Sequence, residues 1–103
     1  MQVRRAARKD TNQDELVDVA QLYGCSVAYT FRLGDGFPDL VLGIDRMFNL
    51  LVEAKRPGGH LTPDEARFRD DWRGQYDAVY TPEQLAALVQ KYRRLGDVLR
   101  EGR

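Results

Sequence analysis

The stretch from Pro38 to Lys55 reads PDLVLGIDRMFNLLVEAK and decides the fold. It holds two apolar runs, Asp39–Ile44 and Met47–Ala54, which are separated only by Asp45-Arg46. Both runs are apolar at consecutive rather than alternate positions, which is typical of strands that helices cover on both faces. The sequence therefore predicts two neighbouring strands at the centre of a sheet.

The residues before this stretch predict one helix and one strand. A helical apolar stripe begins after Thr11, and Gly24 is placed to end that helix. The run Ser26–Leu33 contains Val, Tyr, Thr and Phe, which favour a strand. Two glycines in the next three residues then break the strand before Pro38.

The residues after the stretch predict a helix, a strand and a second helix. The run Thr62–Glu65 is a full capping-box signature, and its helix is expected to extend to about Arg73. A short strand is predicted at Tyr76–Tyr80, and Thr81–Gln84 opens a last helix that Gly96 interrupts and that Val98-Leu99 could extend. The predicted order is α-β-β-β-α-β-α. Short connections favour an antiparallel meander of the first three strands, and the fourth should add in parallel after a crossover, so the class is α/β with a mixed central sheet flanked by helices.

The length of 103 residues suits one domain. Residues 1–9 are expected to be a basic, flexible arm, residues 10–95 the domain and residues 96–103 a basic tail. One cysteine, Cys25, excludes an internal disulfide and indicates a reducing compartment. No apolar run approaches the roughly 20 residues of a membrane span, so a cytoplasmic protein without a membrane partner is expected.

Basic and acidic residues balance at 16 each, which counts against a polyanionic partner. Their distribution matters more than the total. The basic residues cluster at both ends of the chain and again after the central stretch: Arg4, Arg5, Arg8 and Lys9; Lys91, Arg93, Arg94, Arg100 and Arg103; and Arg56, Arg67, Arg69 and Arg73. Either terminal cluster is equally well explained as a solvated surface.

Three charged residues interrupt the most hydrophobic part of the chain. Asp39 opens the first central strand, and Glu53 and Lys55 end the second. Buried strands rarely contain charges, because an unpaired ion in the interior costs several kcal/mol. The alternative is that Asp39 caps a strand edge and that Glu53 and Lys55 form a surface pair at the rim of the sheet.

The spacing of these residues constrains the register of the two strands. Glu53 and Lys55 are two apart, so they point to the same face. In an antiparallel pair, Asp39 lies opposite Glu53 if Ile44 pairs with Phe48, which requires an odd number of turn residues. A two-residue turn would put the carboxylates on opposite faces unless a bulge corrected the register. We therefore predict an odd turn or a bulge.

Two converging carboxylates repel each other unless a cation lies between them. Oxygen ligands suit Mg²⁺ or Mn²⁺, and a Mg²⁺ site commonly uses one or two carboxylates, several waters and a substrate phosphate. Such an ion polarises a phosphoryl oxygen and lowers the pKa of a bound water, and Lys55 could stabilise the charge that develops on phosphorus. These groups best suit phosphodiester hydrolysis, with Mg²⁺ as cofactor, Mn²⁺ as its substitute and no organic cofactor.

Pro38-Asp39 followed by Glu53-Ala54-Lys55 resembles the signature of the PD-(D/E)XK nuclease superfamily. The longer runs GFPDLV from Gly36, LLVEAK from Leu50 and PGGHLTP from Pro57 resemble its VRR-NUC branch, the virus-type replication-repair nucleases that occur as short stand-alone phage proteins. The resemblance extends from about residue 11 to residue 88. It implies a restriction-endonuclease-like αβββαβ core, a homodimer, and cleavage of structured or branched DNA in the manner of a junction resolvase. A phage-encoded protein of this kind would act in the host cytoplasm.

The resemblance also implies roles for individual residues. Asp39 and Glu53 would be metal ligands, the Ala54 carbonyl a third ligand, and Lys55 the catalytic lysine. Glu15 matches the acidic residue that the family places in the first helix, which would add to the catalytic and metal-binding set. A solvated residue in the first helical turn explains Glu15 equally well.

The surroundings of the predicted site contain further candidates. His60 lies in a glycine-rich loop and either contacts phosphate or is simply exposed, and Arg56, Arg67 and Arg73 are candidates for contacts to backbone phosphates. Relatives often carry glutamine where this chain has Glu65, and capping explains that residue fully. Core positions, rather than base-stacking platforms, are predicted for the aromatic side chains of the Thr62 helix and for the one cysteine: Phe68, Trp72 and Cys25.

The sequence thus favours a metal-dependent DNA endonuclease acting in replication or repair. A non-catalytic DNA-binding module that keeps the nuclease fold is the first alternative, and a small α/β interaction protein with incidental carboxylates is the second. Intact Asp39, Glu53 and Lys55 favour the enzyme.

Overall fold

The computed structural model of the chain describes residues 11–102, so the predicted arm at residues 1–9 lies outside the described part. Seven elements follow one another in chain order: α1 (Thr11–Leu22), β1 (Ser26–Tyr29), β2 (Leu40–Ile44), β3 (Phe48–Ala54), α2 (Pro63–Asp71), β4 (Tyr76–Val79) and α3 (Pro82–Glu101). The predicted element order is confirmed. None of the helices in residues 11–102 combines the length and the apolar character that a membrane crossing requires.

The four strands form one mixed sheet in the order β1-β2-β3-β4. Strand β2 pairs antiparallel with both β1 and β3, and β4 adds to β3 in parallel. The predicted class, a mixed α/β fold with an antiparallel meander and a parallel fourth strand, is therefore confirmed. In this order β1 and β4 are the edge strands, and β2 and β3 lie in the middle of the sheet.

The turn between β2 and β3 sets the register that the site requires. Ile44 pairs with Phe48 and Leu40 with Val52, and the Met47 amide donates to the Ile44 carbonyl at 3.0 Å. Asp45 and Arg46 both adopt positive φ, 54° and 59°, so the tight turn is made in the left-handed region. The three-residue turn confirms the predicted odd connection. The paired residues end at Leu40 and Val52, and Asp39 and Glu53 are the next residues of the two strands.

The core lies between one face of the sheet and two helices. Alternate residues of β2 and β3 are buried there, because side chains on a strand point to opposite faces in turn. They pack against the apolar stripes of α1 and α3 in one cluster: Leu40, Leu42, Ile44, Leu50 and Val52 with Leu16, Val17, Ala20, Leu85 and Val89. Cys25 joins this cluster as predicted. The side chains at the other positions of β3, which include Glu53, point to the opposite face of the sheet.

The last helix differs from its prediction at Gly96. The sequence predicted an interruption there and a tail from residue 96, but α3 continues without a break to Glu101. Gly96 is buried, and a Cβ at this position would lie 3.1 Å from the Met47 Sδ and 3.5 Å from the Phe48 ring. The glycine therefore serves the close approach of α3 to the β2–β3 turn rather than the end of a helix, and the predicted domain boundary falls inside α3.

The prediction of core positions for Phe68 and Trp72 is wrong. Helix α2 has no buried residue, and Trp72 is 41% exposed. The two rings stack with centroids 5.1 Å apart, and Phe37 meets Phe68 edge-on at 5.1 Å. The capping box positions α2 locally, but the helix covers the sheet only in part, so these rings form a half-exposed aromatic cluster.

Candidate functional site

Asp39 is held at three atoms just before β2. Its amide donates to the Val52 carbonyl at 3.1 Å, its carbonyl accepts from the Thr30 amide at 2.7 Å, and its Oδ2 accepts from the Ala54 amide at 2.8 Å. These bonds fix both the backbone and the carboxylate of Asp39 against the end of β3. The position of this side chain is therefore set by the register of the sheet and not by a free loop.

Glu53 follows Val52, the residue that accepts the Asp39 amide, and is almost completely buried, with 2% of its surface exposed. Its carboxyl group is in hydrogen-bond contact with that of Asp39. Burial, followed by the charges of Asp39 and Glu65, raises the pKa of Glu53 to about 9. Burial also raises the pKa of Asp39, although the bond from the Ala54 amide opposes the rise. Near neutral pH, Glu53 is therefore the group of the pair that favours its protonated form.

Lys55 extends the pair along β3. Its Nζ lies 2.8 Å from Glu65 Oε1 and 3.7 Å from Glu53 Oε2, and 17% of the side chain is exposed. Burial lowers the pKa of Lys55, but the hydrogen bond and charge of Glu65 outweigh it, and the net effect is a rise. The ammonium of Lys55 is therefore charged. Glu53 and Lys55 do form a pair, but because Glu53 is buried it is not the surface pair at the rim of the sheet that the alternative described.

Glu65 has a second contact that the sequence did not predict. Its Oε1 accepts from the Thr62 amide at 2.8 Å and completes the capping box, as predicted, but the same atom also binds Lys55. Burial raises the pKa of Glu65, whereas the bonds from Lys55 and the Thr62 amide lower it, and the lowering prevails. The signal was present in the sequence, since the capping glutamate follows Lys55 by only ten residues across one loop.

The start of α1 is fastened to the same end of the sheet. The Asn12 side-chain amide donates to the carbonyls of Lys55 at 2.6 Å and Tyr80 at 3.4 Å. Its neighbour Gln13 is 1% exposed, and neither polar atom of its side chain has a hydrogen-bond partner within the described residues. No pattern in the sequence pointed to either role.

Glu15 and Ala54 occupy different settings from the carboxylate pair. Glu15 is exposed and lines a depression of about 440 Å³ together with Asn12, Arg56 and Pro57. Ala54 is buried and uses its amide to fix Asp39. The metal-binding roles implied for Glu15 and the Ala54 carbonyl remain predictions.

Three of the four residues predicted to contact DNA line three different depressions, and the DNA contacts remain predictions. His60 lines a groove of about 630 Å³ between α2 and β4, and Arg56 lines the depression beside Glu15. Arg67 lies on another side of α2, where its Nη1 binds Asp64 at 2.8 Å. Arg73 is exposed after the end of α2. Arg69, which was not among the candidates, lines the same groove as His60.

The residues that could hold a divalent cation are the carboxylates of Asp39 and Glu53. No group of three or more His, Cys, Asp or Glu side chains placed to hold a metal ion occurs within residues 11–102. A Mg²⁺ site does not require three, because one or two carboxylates with waters and a phosphate commonly suffice. A dication between Asp39 and Glu53 would replace the proton that the pair otherwise needs, so the donor chemistry fits a hard cation.

Comparison of the chain with protein-family models, with curated proteins and with solved structures gave no match.

Proposed function

We propose that this chain is a metal-dependent endonuclease of the PD-(D/E)XK type that hydrolyses phosphodiester bonds in structured or branched DNA. The observation that supports the proposal is the contact between the half-buried Asp39 and the buried Glu53, with Lys55 Nζ 3.7 Å from Glu53 Oε2. Three ionisable groups converging at the ends of two central strands are costly to fold, since burial of charge is expensive. Such a cost is expected where the ionisable groups bind a metal ion or act on a substrate.

Each residue has a distinct part in the proposed chemistry. Asp39 and Glu53 would hold Mg²⁺ or Mn²⁺, which when bound supplies Lewis-acid activation of a water and of a phosphoryl oxygen. Lys55 places a positive charge beside the carboxylate pair, where charge develops on the phosphoryl group during attack. Glu65 orients Lys55 through the 2.8 Å contact and is itself fixed by the cap of α2.

One observation favours a non-catalytic DNA-binding module instead. The Lys55 ammonium already has a carboxylate partner in Glu65, so its charge is compensated in the resting protein. In a catalytic site this pair must loosen or rearrange when a phosphate enters. In a binding module it would stay as it is.

A cleavage panel separates these functions. Labelled linear duplex, single strand, flap, splayed arm and four-way junction are incubated with Mg²⁺, with Mn²⁺ and with EDTA. The wild type is expected to cut at least one branched substrate in a metal-dependent way, Lys55→Ala to lose at least about a hundredfold in rate, and Lys91→Ala, an exposed lysine of α3, to cut normally. Binding without cutting by the folded wild type under every condition would establish the module instead.

The resemblance further implies a homodimer with two sites for cuts on two strands. Light scattering on the purified chain tests this directly. A mass of one chain at every concentration would restrict the proposal to a nuclease that cuts one strand at a time.

A further inference from the structure

The groove between α2 and β4 begins beside the carboxylate pair. It has a volume of about 630 Å³, and its lining includes His60, Arg69, Tyr76, Ala78 and Tyr80. Ala78 pairs directly with Glu53 in the parallel register. Paired residues of neighbouring strands point to the same face, so the groove is continuous with the face that carries the site.

The lining of the groove is suited to a phosphate and a base. Arg69 lies within electrostatic range of Tyr76 and Tyr80, and its Nε–H binds Asp70 at 2.9 Å. The guanidinium has four more N–H donors, which suit a phosphate. Tyr80 and His60 add flat faces on which a base can stack.

Tyr76 supplies a second, independent observation. Its hydroxyl is buried and has no hydrogen-bond partner within the described residues. A buried polar group without a partner costs about 1–3 kcal/mol, so a small movement of the groove wall that let a ligand oxygen reach this hydroxyl would recover part of that cost. Burial and the charge of Glu53 raise the pKa of Tyr76 to about 12, so the hydroxyl keeps its proton.

One acid, Asp77, also borders the groove, but it belongs to the opposite face of β4. It pairs with Val52, whose side chain is in the core, whereas Tyr76 and Ala78 share the face of Glu53. Burial raises the pKa of Asp77, and the charge of Lys91 opposes that rise. The face of the groove that continues from the site presents Arg69, which is paired with Asp70 at 2.9 Å, and the remaining N–H donors of its guanidinium are the groups that would hold a phosphate.

We propose that this groove binds an unpaired nucleotide of the DNA strand next to the cleavage site, with Arg69 and Tyr76 on its phosphate and Tyr80 or His60 against its base. The volume lies within the range of pockets for small ligands. A base inside a duplex is covered on both faces by its neighbours, so stacking on Tyr80 or His60 requires a base that has left the stack. The inference deepens the proposed function and rests on it, since it selects substrates with a single-stranded arm.

A pair of arginine variants tests the groove. Arg69→Gln and Arg94→Gln each remove one positive charge, but Arg69 lines the groove, whereas Arg94 is exposed on α3 and is not part of the groove lining. Binding of a fluorescein-labelled single-stranded oligonucleotide is measured by anisotropy in EDTA, so that no cutting occurs. Arg69→Gln is expected to weaken binding about tenfold and to lower the slope of log K against log salt by about 0.7, whereas Arg94→Gln changes neither.

A matched pair of tyrosine variants tests the hydroxyl. Tyr76→Phe removes a buried, unpartnered hydroxyl and keeps the ring, so a purely structural role predicts equal or higher stability with unchanged binding. The inference predicts about fivefold weaker binding of the oligonucleotide with no loss of stability. Tyr92→Phe, whose ring packs on Phe48 away from the groove, is the control.

The outcomes for the groove and for the nuclease are separable. Equal binding of the oligonucleotide by Arg69→Gln and Arg94→Gln overturns the proposed groove, even if the wild type cuts DNA. If Arg69→Gln loses equal affinity for blunt duplex and for single-stranded DNA, the groove does not select an unpaired nucleotide, and that part of the proposal is refuted. A wild type that cuts nothing, combined with weaker single-strand binding only in Arg69→Gln, refutes the nuclease and supports the groove.

Discussion

Replacement of Glu53 by glutamine should remove most of the pH dependence of stability near neutrality. Glu53 has an ordinary pKa of 4.5 and a folded-state pKa of about 9, raised chiefly by burial. An acid with a raised folded-state pKa stabilises the fold fully below its unfolded pKa. That stability is lost as pH rises from the unfolded toward the folded value, because only the unfolded chain releases the proton. Metal-free protein should therefore become less stable from about pH 5 to pH 8.

The size of the effect follows from the linkage relation. One group of this kind lowers the free energy of unfolding by about 1.4 kcal/mol per pH unit, so Glu53 accounts for up to about 4 kcal/mol between pH 5 and pH 8. Domains of this size are stable by only about 5–15 kcal/mol, so the decline is large. Glutamine resembles the protonated acid and can still donate to Asp39, so Glu53→Gln should keep the low-pH stability. A smaller decline from Asp39, whose pKa burial also raises, should remain.

Urea unfolding at several pH values in EDTA measures this directly. The control is Glu101→Gln, which changes an exposed glutamate in the last turn of α3 and should follow the wild type. Saturating Mg²⁺ should flatten the wild-type curve, because a ligand of the native state adds stability and here takes the place of the proton. Parallel curves for wild type and Glu53→Gln, or wild-type stability that rises from pH 5 to pH 8, would refute the reasoning.

Three further changes have defined effects on the free energy of unfolding in urea. Gly36→Ala should cost about 3 kcal/mol, because Gly36 has a φ of 79° and a Cβ there would clash with the Asp64 carbonyl of α2; a loss under about 1 kcal/mol would show that the loop moves aside. Glu65→Ala should cost about 1 kcal/mol more than Glu65→Gln, since glutamine can still accept the Thr62 amide bond, and equal losses would mean that the capping box adds nothing. Gln13→Leu should stabilise the protein by about 1 kcal/mol by removing a buried amide without partners, and a marked loss of stability would reveal that the amide is satisfied by water.

The centre of the fold was predictable because two constraints coincide there. Consecutive apolar residues require buried central strands, and two carboxylates that must share one face require an odd turn between those strands. Alternation on a strand has a period of two, so the parity of the turn determines which residues converge. The observed pairing of Ile44 with Phe48 satisfies both constraints. Strand patterns and turn length were enough to predict this part of the fold, because the two strands that bring Asp39 and Glu53 together are consecutive in the sequence.

The errors arise where packing between distant elements overrides a local rule. Gly96 carries a helix-breaking signal, yet α3 continues through it because a glycine allows contact with the β2–β3 turn. Phe68 and Trp72 are four residues apart, a spacing typical of the buried side of a helix. Whether that side is buried depends on where the helix packs, and α2 has no buried residue. No periodicity within a segment contains that information.

Glu65 shows the same limit in the site itself. The capping box explained the residue completely at the level of one helix, and that explanation is correct. Only the placement of α2 over the end of β3 brings the capping oxygen to Lys55 as well. One carboxylate thereby fixes both the helix and the ammonium, so the start of α2 cannot fray without releasing Lys55.

The charges of the candidate site predict an order of binding for the proposed nuclease. Three carboxyl groups, those of Asp39, Glu53 and Glu65, lie around the one ammonium of Lys55, and burial raises the pKa of both Asp39 and Glu53. A dication held by the carboxylates would add positive charge where the scissile phosphate must lie, whereas Arg69 in the adjoining groove offers positive charge without metal. The proposed nuclease should therefore hold its DNA through the groove in EDTA but place the scissile phosphate only after the cation has entered. This order would reconcile a chain of zero net charge with the proposed polyanionic substrate, because the dication would bring part of the positive charge.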